Sequence, residues 1–312
     1  MRSVLKSHHL RAWLKLVEMG SIRAAARALG LSQAAITKAI KELEEDLGAA
    51  LVVRSSRGVV ITESGKALAL RARLADIQLQ IARQDIQQLQ GGKHGRVRVG
   101  LTPMITMTIL PTVIHRFRQA LPDAELGFFE GLLPTVLPGL RRGDIDFAVI
   151  LIDPAYVSSD FVFEPLLQLP FMVMGRKGHP LRAATAWDDL MDQEWLMNIA
   201  PGSHNQRFLA ALDADGYARP RHIIESDSFG VMWNLTMRSD ALIVCPYAML
   251  ETSYAPDISR IAVDVPIPTS TLGILSLSAQ PLSLAATKLA DEFRNAIELA
   301  STLHSADIRI TP

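Results

Sequence analysis

Apolar positions recur at helical spacing early in the chain. Ile36, Ile40, Leu43 and Leu47 follow intervals of four, three and four, which gathers them on one buried helix face. The pattern predicts short helices over 21–31 and 32–47, with Ser21 and Ser32 as N-caps. Gly30 supplies the tight turn between them. Short β-prone runs at 51–53 and 59–62 flank Arg54-Ser55-Ser56-Arg57-Gly58, the tip of a hairpin. From 63 to 90 the helical spacing returns. Leu68, Ala72, Ala75, Leu79, Ala82, Ile86 and Leu89 alternate intervals of four and three, a heptad seam. Leu70, Leu74, Ile77 and Ile81 make a second stripe. A helix apolar on two sides must be covered twice, by its own module on one side and by a partner helix on the other. A core helix within one globular domain is the alternative, and the Gly91-Gly92-Lys93-His94-Gly95 break favours a helix ending at a hinge.

Beyond residue 96 strand and helix patterns alternate: strand 96–101, helix 105–120, strand 125–129, helix 132–141, strand 147–152. Residues 161–176 read as strands crossing to a second half. That half has strand 195–199, helix 203–213, strand 222–225, helix 229–238 and strand 241–246. Strand 271–277 crosses back and helix 282–302 completes the first half. Such alternation implies α/β lobes with parallel-rich sheets. The expected division is a helical N-terminal domain with a hairpin over 1–62, a linker helix over 63–92 and a two-lobed domain over 93–312. Lobe one would take about 96–162 and 270–312, and lobe two about 163–269.

The net charge is zero, with 32 basic and 32 acidic residues, yet it is unevenly spread. Residues 1–96 hold 16 Lys/Arg against 8 Asp/Glu; residues 97–312 hold 16 against 24. A basic head on an acidic body suits a polyanionic partner at the N-terminal end, nucleic acid above all. At 49% hydrophobic and 21% charged residues, the composition is that of a globular protein. The single cysteine, Cys245, excludes an intrachain disulfide and suits a reducing cytoplasm. The N-terminal residues lack the apolar core of a secretory signal. The longest uncharged stretch, 265–287, contains Pro266, Pro268 and Pro281 and makes a poor membrane span. No membrane role is expected.

Opposite the Ile36 face lie Gln33, Ala34, Thr37, Lys38 and Lys41, polar and basic, with the acids Glu42, Glu44, Glu45 and Asp46 held to later turns. This is a helix-turn-helix whose second helix enters the major groove N-terminus first. Gln33 suits adenine, Lys38 suits guanine, and Thr37 offers a hydroxyl or methyl. Ser32 and Ala34 open the same face. Arg54 and Arg57, at the hairpin tip, make a wing that clamps phosphates or enters the minor groove. An αα-hairpin with a solvated face would show the same spacing; the wing decides against it.

Ala24-Ala25-Ala26, Leu29, Ser32-Gln33, Ala35-Ile36-Thr37, Ile40, Leu43-Glu44, Leu47-Gly48, Leu51, Arg54, Arg57 and the run from Thr62 to Gly65 resemble the N-terminal signature of LysR-type transcriptional regulators. Ala34, Val52 and Ser64 depart from it; only the first bears on which bases are read. The resemblance implies an α+β multidomain chain: an N-terminal winged helix-turn-helix, a long linker helix, and a C-terminal two-lobed α/β domain resembling periplasmic binding proteins. It implies dimerisation through the linker helix, often with assembly to a tetramer. It also implies an interrupted-palindrome, A/T-rich duplex as target, a small-molecule co-inducer rather than a cofactor, contact with RNA polymerase, and a change of promoter activity, by activation or repression.

Ligands of open α/β sheets bind beyond the carboxyl ends of the strands. That rule selects Thr102, Pro103, Met104, Glu130, Gly131, Leu132, Leu133 and the loop Leu151 to Asp153 on lobe one. On lobe two it selects Asn198 through Asn205, with Pro201, Gly202, Ser203 and His204, then Ser226 to Phe229, with Ser228, and Cys245-Pro246. Helices opening near Thr102 and Gly202 offer free N–H groups to an anion. Leu132, Leu133, Phe229 and Met104 offer apolar walls. The expected effector is a small organic anion with an aromatic body, a carboxylate or sulfonate. Catalytic and metal residues are not expected. Ser203 and His204 are adjacent on a helix and point apart, Asp144 and Asp146 read as a turn, and His8-His9 as surface. The competing readings are an enzyme or solute-binding protein on the two-lobed fold with an accessory DNA-binding module, and an architectural nucleoid protein.

Overall fold

The computed structural model describes residues 5–55, 58–252 and 255–304. It divides into two compact units, Met1–Arg83 and Gln84–Pro312.

The first unit begins with a helix absent from the sequence expectation, α1 (Ser7–Met19), followed by α2 (Ile22–Leu29) and α3 (Gln33–Leu47). Gly30, at φ 65°, ends α2 in the left-handed conformation that lacks a Cβ penalty. Ser21 takes the N-cap position of α2 without a side-chain cap bond, whereas Ser32 accepts from Ala35 N–H at 3.1 Å to cap α3. A hairpin follows, β1 (Val52–Ser55) paired antiparallel with β2 (Gly58–Ile61). Then comes α4 (Glu63–Leu89). Thr62 caps it, accepting from Gly65 N–H at 3.0 Å and donating to Ala50 O at 2.7 Å. The core joins Trp13, Leu16, Ala25, Ala26, Ile36, Ile40, Leu43 and Leu51. His9, expected at the surface, is buried there, its Nε2 3.2 Å from Glu42. Leu47, the last member of the seam, is instead 42% exposed, because Gly48 turns the chain away directly after it.

The second unit holds two five-stranded sheets. In chain order its elements are β3 (Arg96–Leu101), α5 (Pro103–Met107), α6 (Leu110–Ala120), β4 (Glu125–Glu130), α7 (Leu133–Arg142) and β5 (Phe147–Ile152). Next come β6 (Phe161–Leu169), β7 (Phe171–Arg176), β8 (Glu194–Met197), α8 (His204–Ala214), β9 (His222–Glu225) and α9 (Phe229–Arg238). The last are β10 (Leu242–Pro246), β11 (Ile258–Ile261), β12 (Ser270–Leu277) and α10 (Leu284–His304). Lobe one orders its strands β4-β3-β5-β12-β6, lobe two β11-β7-β10-β8-β9. Both mix parallel and antiparallel pairs. The central strands are buried on both faces, which explains their unbroken apolar runs. Phe147 and Val149 of β5 join the core under α6 and α10, while Ala148 and Ile150 pack against Val136 and Leu140 of α7.

Two expectations are corrected. The single helix over 105–120 is two helices, with Pro111 in the first turn of α6, where its missing N–H costs nothing. The lobe boundary falls at Pro170 instead of about 163, because β12 pairs with β6 as far as Leu169. The chain therefore crosses between lobes twice, at Pro170 and in the segment between β11 and β12.

Candidate DNA-binding face and ligand cleft

In the first unit the geometry of α3 is set by burial. Ile36 and Leu43 are fully buried and Ile40 nearly so, which turns Gln33, Ala34, Lys38 and Lys41 to the surface. Ser32 is exposed at the cap; Thr37 is half-buried and its hydroxyl donates to Gln33 O at 2.9 Å. The Lys38 and Lys41 side chains are 79% and 75% exposed, loosely paired to Glu42 at 3.8 Å and Glu45 at 3.5 Å. Exposed pairs of this kind hold about 0–1 kcal/mol, so both ammonium groups are available to a stronger anion. Glu44, read in the sequence only as an acid kept from phosphate, also supports the fold. Its Oε1 accepts from Leu51 N–H at 2.8 Å and Val52 N–H at 3.2 Å, and thereby ties the wing to the end of α3. Arg57 lies outside the described residues, as does the side chain of Arg54.

The linker seam divides. Ala72 is buried and Leu68 packs beside it in the core of the first unit, so neither is free to meet a partner helix. The cause is the short distance from the Thr62 cap, which lays the first turns of α4 against the module that precedes it. From Ala75 onward the seam is bare: Ala75 and Ala82 are exposed, and Leu79, Ile86 and Leu89 are 58%, 56% and 77% exposed.

In the second unit a cavity of about 110 Å³ lies between the lobes, at the carboxyl ends of β3, β5, β8 and β10. Thr102, Pro103, Met104, Gly131, Leu132, Leu133, Gly202, Ser203, His204, Phe229 and Pro246 line it. Glu130, Pro201 and Ser228 do not. Glu130 turns to Thr106, 2.5 Å away, Pro201 is exposed, and the Ser228 hydroxyl is spent capping α9 through Val231 N–H. The rule for strand ends missed residues further inside the strands and on the crossover. Ile150, Phe171, Ile243 and Ser270 line the cavity too, beside Asn198 and Cys245, which the rule had reached; continuous burial of β5 and β10 was the sequence signal for Ile150 and Ile243. A larger cavity of about 480 Å³ beside Pro170 and Tyr247 is bounded by α5, β6 and α10, away from the strand ends where α/β ligands sit.

The cleft is apolar with neutral polar groups. Ser203 Oγ donates to Asn198 O at 2.6 Å and accepts from Gln206 N–H, capping α8. The His204 ring stacks on Phe171 at 3.5 Å, and its Nε2–H donates to Pro268 O at 2.7 Å. The remaining Nδ1, and Nδ2 of the buried Asn198, are without a protein partner. Burial holds the His204 imidazole at a pKa of about 4, against the opposing pull of the Pro268 carbonyl, so it is neutral near pH 7. Burial pushes the Cys245 thiol up, which removes the thiolate that redox and nucleophilic chemistry require. Ser203 and His204 bond to different carbonyls, not to each other. Asp146 Oδ2 accepts from Arg98 N–H at 2.7 Å, and Asp144 pairs with Arg142, the turn expected of Gly-Asp-Ile-Asp. Among the described residues no three His, Cys, Asp or Glu side chains converge as a metal site, and no helix is long and apolar enough to cross a membrane.

A winged helix followed by a two-lobed cleft domain is the build of a DNA-binding regulator. Residues 7–66 match the family described as bacterial regulatory helix-turn-helix protein, lysR family, and residues 90–298 match the LysR substrate binding domain. The chain belongs to the LysR family of transcriptional regulators, and is a regulator and not an enzyme. Among its relatives, the transcriptional regulator GalR of Pseudomonas putida is 30% identical over 288 residues, covering 92% of this chain and 72% of that protein. The regulator TdcA of Escherichia coli K12 is 26% identical over 265 residues, 85% of each. A full-length OxyR from Pseudomonas aeruginosa shares the fold with a TM-score of 0.65 and 22% identity, over 94% of this chain and 95% of its own. Full-length CbnR complexed with its target DNA shares it with a TM-score of 0.62 and 17% identity, over 93% and 99%.

Proposed function

We propose that this LysR-type regulator works in the cytoplasm as an oligomer and answers to a small organic anion. It would read an interrupted-palindromic, A/T-rich operator through Ser32, Gln33, Ala34, Thr37, Lys38, Lys41 and the wing arginines Arg54 and Arg57. The bare seam from Ala75 to Leu89 pairs two chains, and two pairs make the tetramer. Effector binding changes lobe geometry, and with it DNA bending and contact with RNA polymerase. The coupling is limited to the effector's difference in affinity between the two lobe arrangements. The observation that supports the effector class is an apolar interlobe cleft in which the buried Asn198 Nδ2 is a donor without a protein partner. An aromatic carboxylate or sulfonate supplies the apolar body and the missing acceptors for Asn198 and for the free N–H groups at the start of α8. Its size is set by the room: about 110 Å³ is less than the roughly 150 Å³ void that takes a benzene, so a ring enters only as the lobes part. Calorimetry with benzoate, benzenesulfonate and leucine tests this class. Binding of the first two is expected; binding of leucine alone contradicts it.

A further inference from the structure

The residues that line the cleft include no lysine or arginine, although the effector proposed above is an anion. The nearest guanidinium stands just behind the wall. Arg207, in the first turn of α8, reaches the Ser270 hydroxyl at 3.4 Å, and Ser270 faces the cavity. Its Nη2 is 3.0 Å from Asp153 Oδ2. Asp153 follows β5 directly in lobe one, whereas α8 belongs to lobe two. Among the described residues this is the ion pair that joins the lobes: Arg141–Asp160 and Arg294–Glu164 stay within lobe one, and Arg176–Asp240, Arg219–Asp213 and Arg221–Asp192 within lobe two. It is also the more sheltered pair, with side chains 17% and 27% exposed. A neighbouring contact spans the same gap, since His204, three residues earlier on α8, donates to Pro268 O on the crossover.

We infer that Arg207 and Asp153 form a latch holding the cleft closed, and that Arg207 is the specificity-determining cation for an anionic effector, whose carboxylate displaces that of Asp153. This rests on the anionic-effector reading. The exchange needs no net loss of charge pairing. A guanidinium presents a planar fork of donors that fits one carboxylate as well as another. Asp153 keeps a second partner when released, because its Oδ1 accepts from Ala155 N–H at 3.0 Å. A ring that wedges the lobes apart separates Asp153 from Arg207 and offers its own carboxylate in the same motion. The latch thus supplies the differential contact that a ligand-driven change requires.

Cys245 reports on the latch without any ligand. It is the chain's single cysteine, lines the cleft and is 1% exposed. In the full-length protein, Asp153→Asn and Arg207→Gln are each expected to speed Cys245 labelling by dithionitrobenzoate about tenfold, the order set by one sheltered charge-assisted pair. Arg207→Lys, which keeps the charge, should sit closer to wild type. Melting curves run alongside separate opening from unfolding. Labelling rates indifferent to all three substitutions overturn the latch. With benzoate as probe, Asp153→Asn should tighten calorimetric binding and Arg207→Gln should weaken it about tenfold, while the neutral isostere benzamide, which needs the open cleft but no cation, should bind more tightly to both. Benzoate affinities that do not move, or no binding by any of the proteins, overturn the receptor role. Selective binding of benzamide would show a ligand cleft without an anion requirement, which contradicts the effector class and leaves the latch to be judged by labelling alone.

Discussion

Leu79→Asp isolates the bare half of the linker seam. Within one chain Leu79 is 58% exposed, so an aspartate there alters the fold by no more than about 0.5 kcal/mol. In a paired seam each copy loses the burial of that exposed part. Full burial of a leucine is worth about 1.5–3 kcal/mol, so the exposed fraction gives about 1–2 kcal/mol per chain and twice that per dimer. Carboxylate desolvation adds to it. A loss of about 3 kcal/mol raises the dimer dissociation constant by more than about a hundredfold. Sedimentation equilibrium at micromolar concentration reads the change, and a melt confirms an intact fold. Leu68→Asp is the contrast: Leu68 packs in the core of the first unit, so that variant should melt early. A Leu79→Asp protein that sediments as wild type refutes the seam; one that melts early refutes the reading of Leu79 as free surface.

Other outcomes follow from the same geometry. Lys38→Ala should leave the melting temperature unchanged, since Lys38 is exposed and loosely paired, while specific DNA binding weakens by about 1–3 kcal/mol. Fluorescence anisotropy on selected and scrambled duplexes reads it, and an equal loss on both would make Lys38 a phosphate contact. Glu44→Ala strands the amides of Leu51 and Val52, at a cost of about 1–3 kcal/mol, and hydrogen exchange should show those two amides opening first. Stability should fall as pH drops from 6.5 towards 4: the unfolded chain protonates His204 below its ordinary value of 6.5, while the fold holds it neutral to about 4. Between pH 7 and 5 the loss is at most about 2 kcal/mol, and His204→Gln should flatten that slope in urea titrations.

What the sequence made legible followed from period and punctuation. The α3 seam as far as Leu43, the Ser32 cap and strand β5 stand where their patterns place them, because one buried face fixes a helix and burial on both faces fixes a strand; β9 also keeps its expected bounds, although its four residues are exposed. The misses share a cause in tertiary context. Helix α1 opens with His8-His9, and nothing local shows that His9 would be buried against Glu42. The apolar run from Phe161 to Arg176 hides a change of sheet at Pro170, since strands that end one lobe and begin the next carry the same residues. Leu68 and Leu79 lie on the same seam, and only distance from the wing module separates a core contact from free surface. Glu130 and Ser228 stand at strand ends as ligand residues do, yet their side chains are engaged by Thr106 and Val231. Asn198, by contrast, bears an amide whose idle Nδ2 is visible only in three dimensions.

Selection from a random duplex pool by the wild-type chain bears most directly on the exposed Gln33–Lys41 face. An enriched site with two inverted half-sites spaced by one or more helical turns is expected, with Gln33→Ala and Lys38→Ala relaxing different base positions within each half. A pool that remains random after repeated rounds at physiological salt, or a motif whose base preferences neither substitution alters, would contradict the assignment of that face to the major groove.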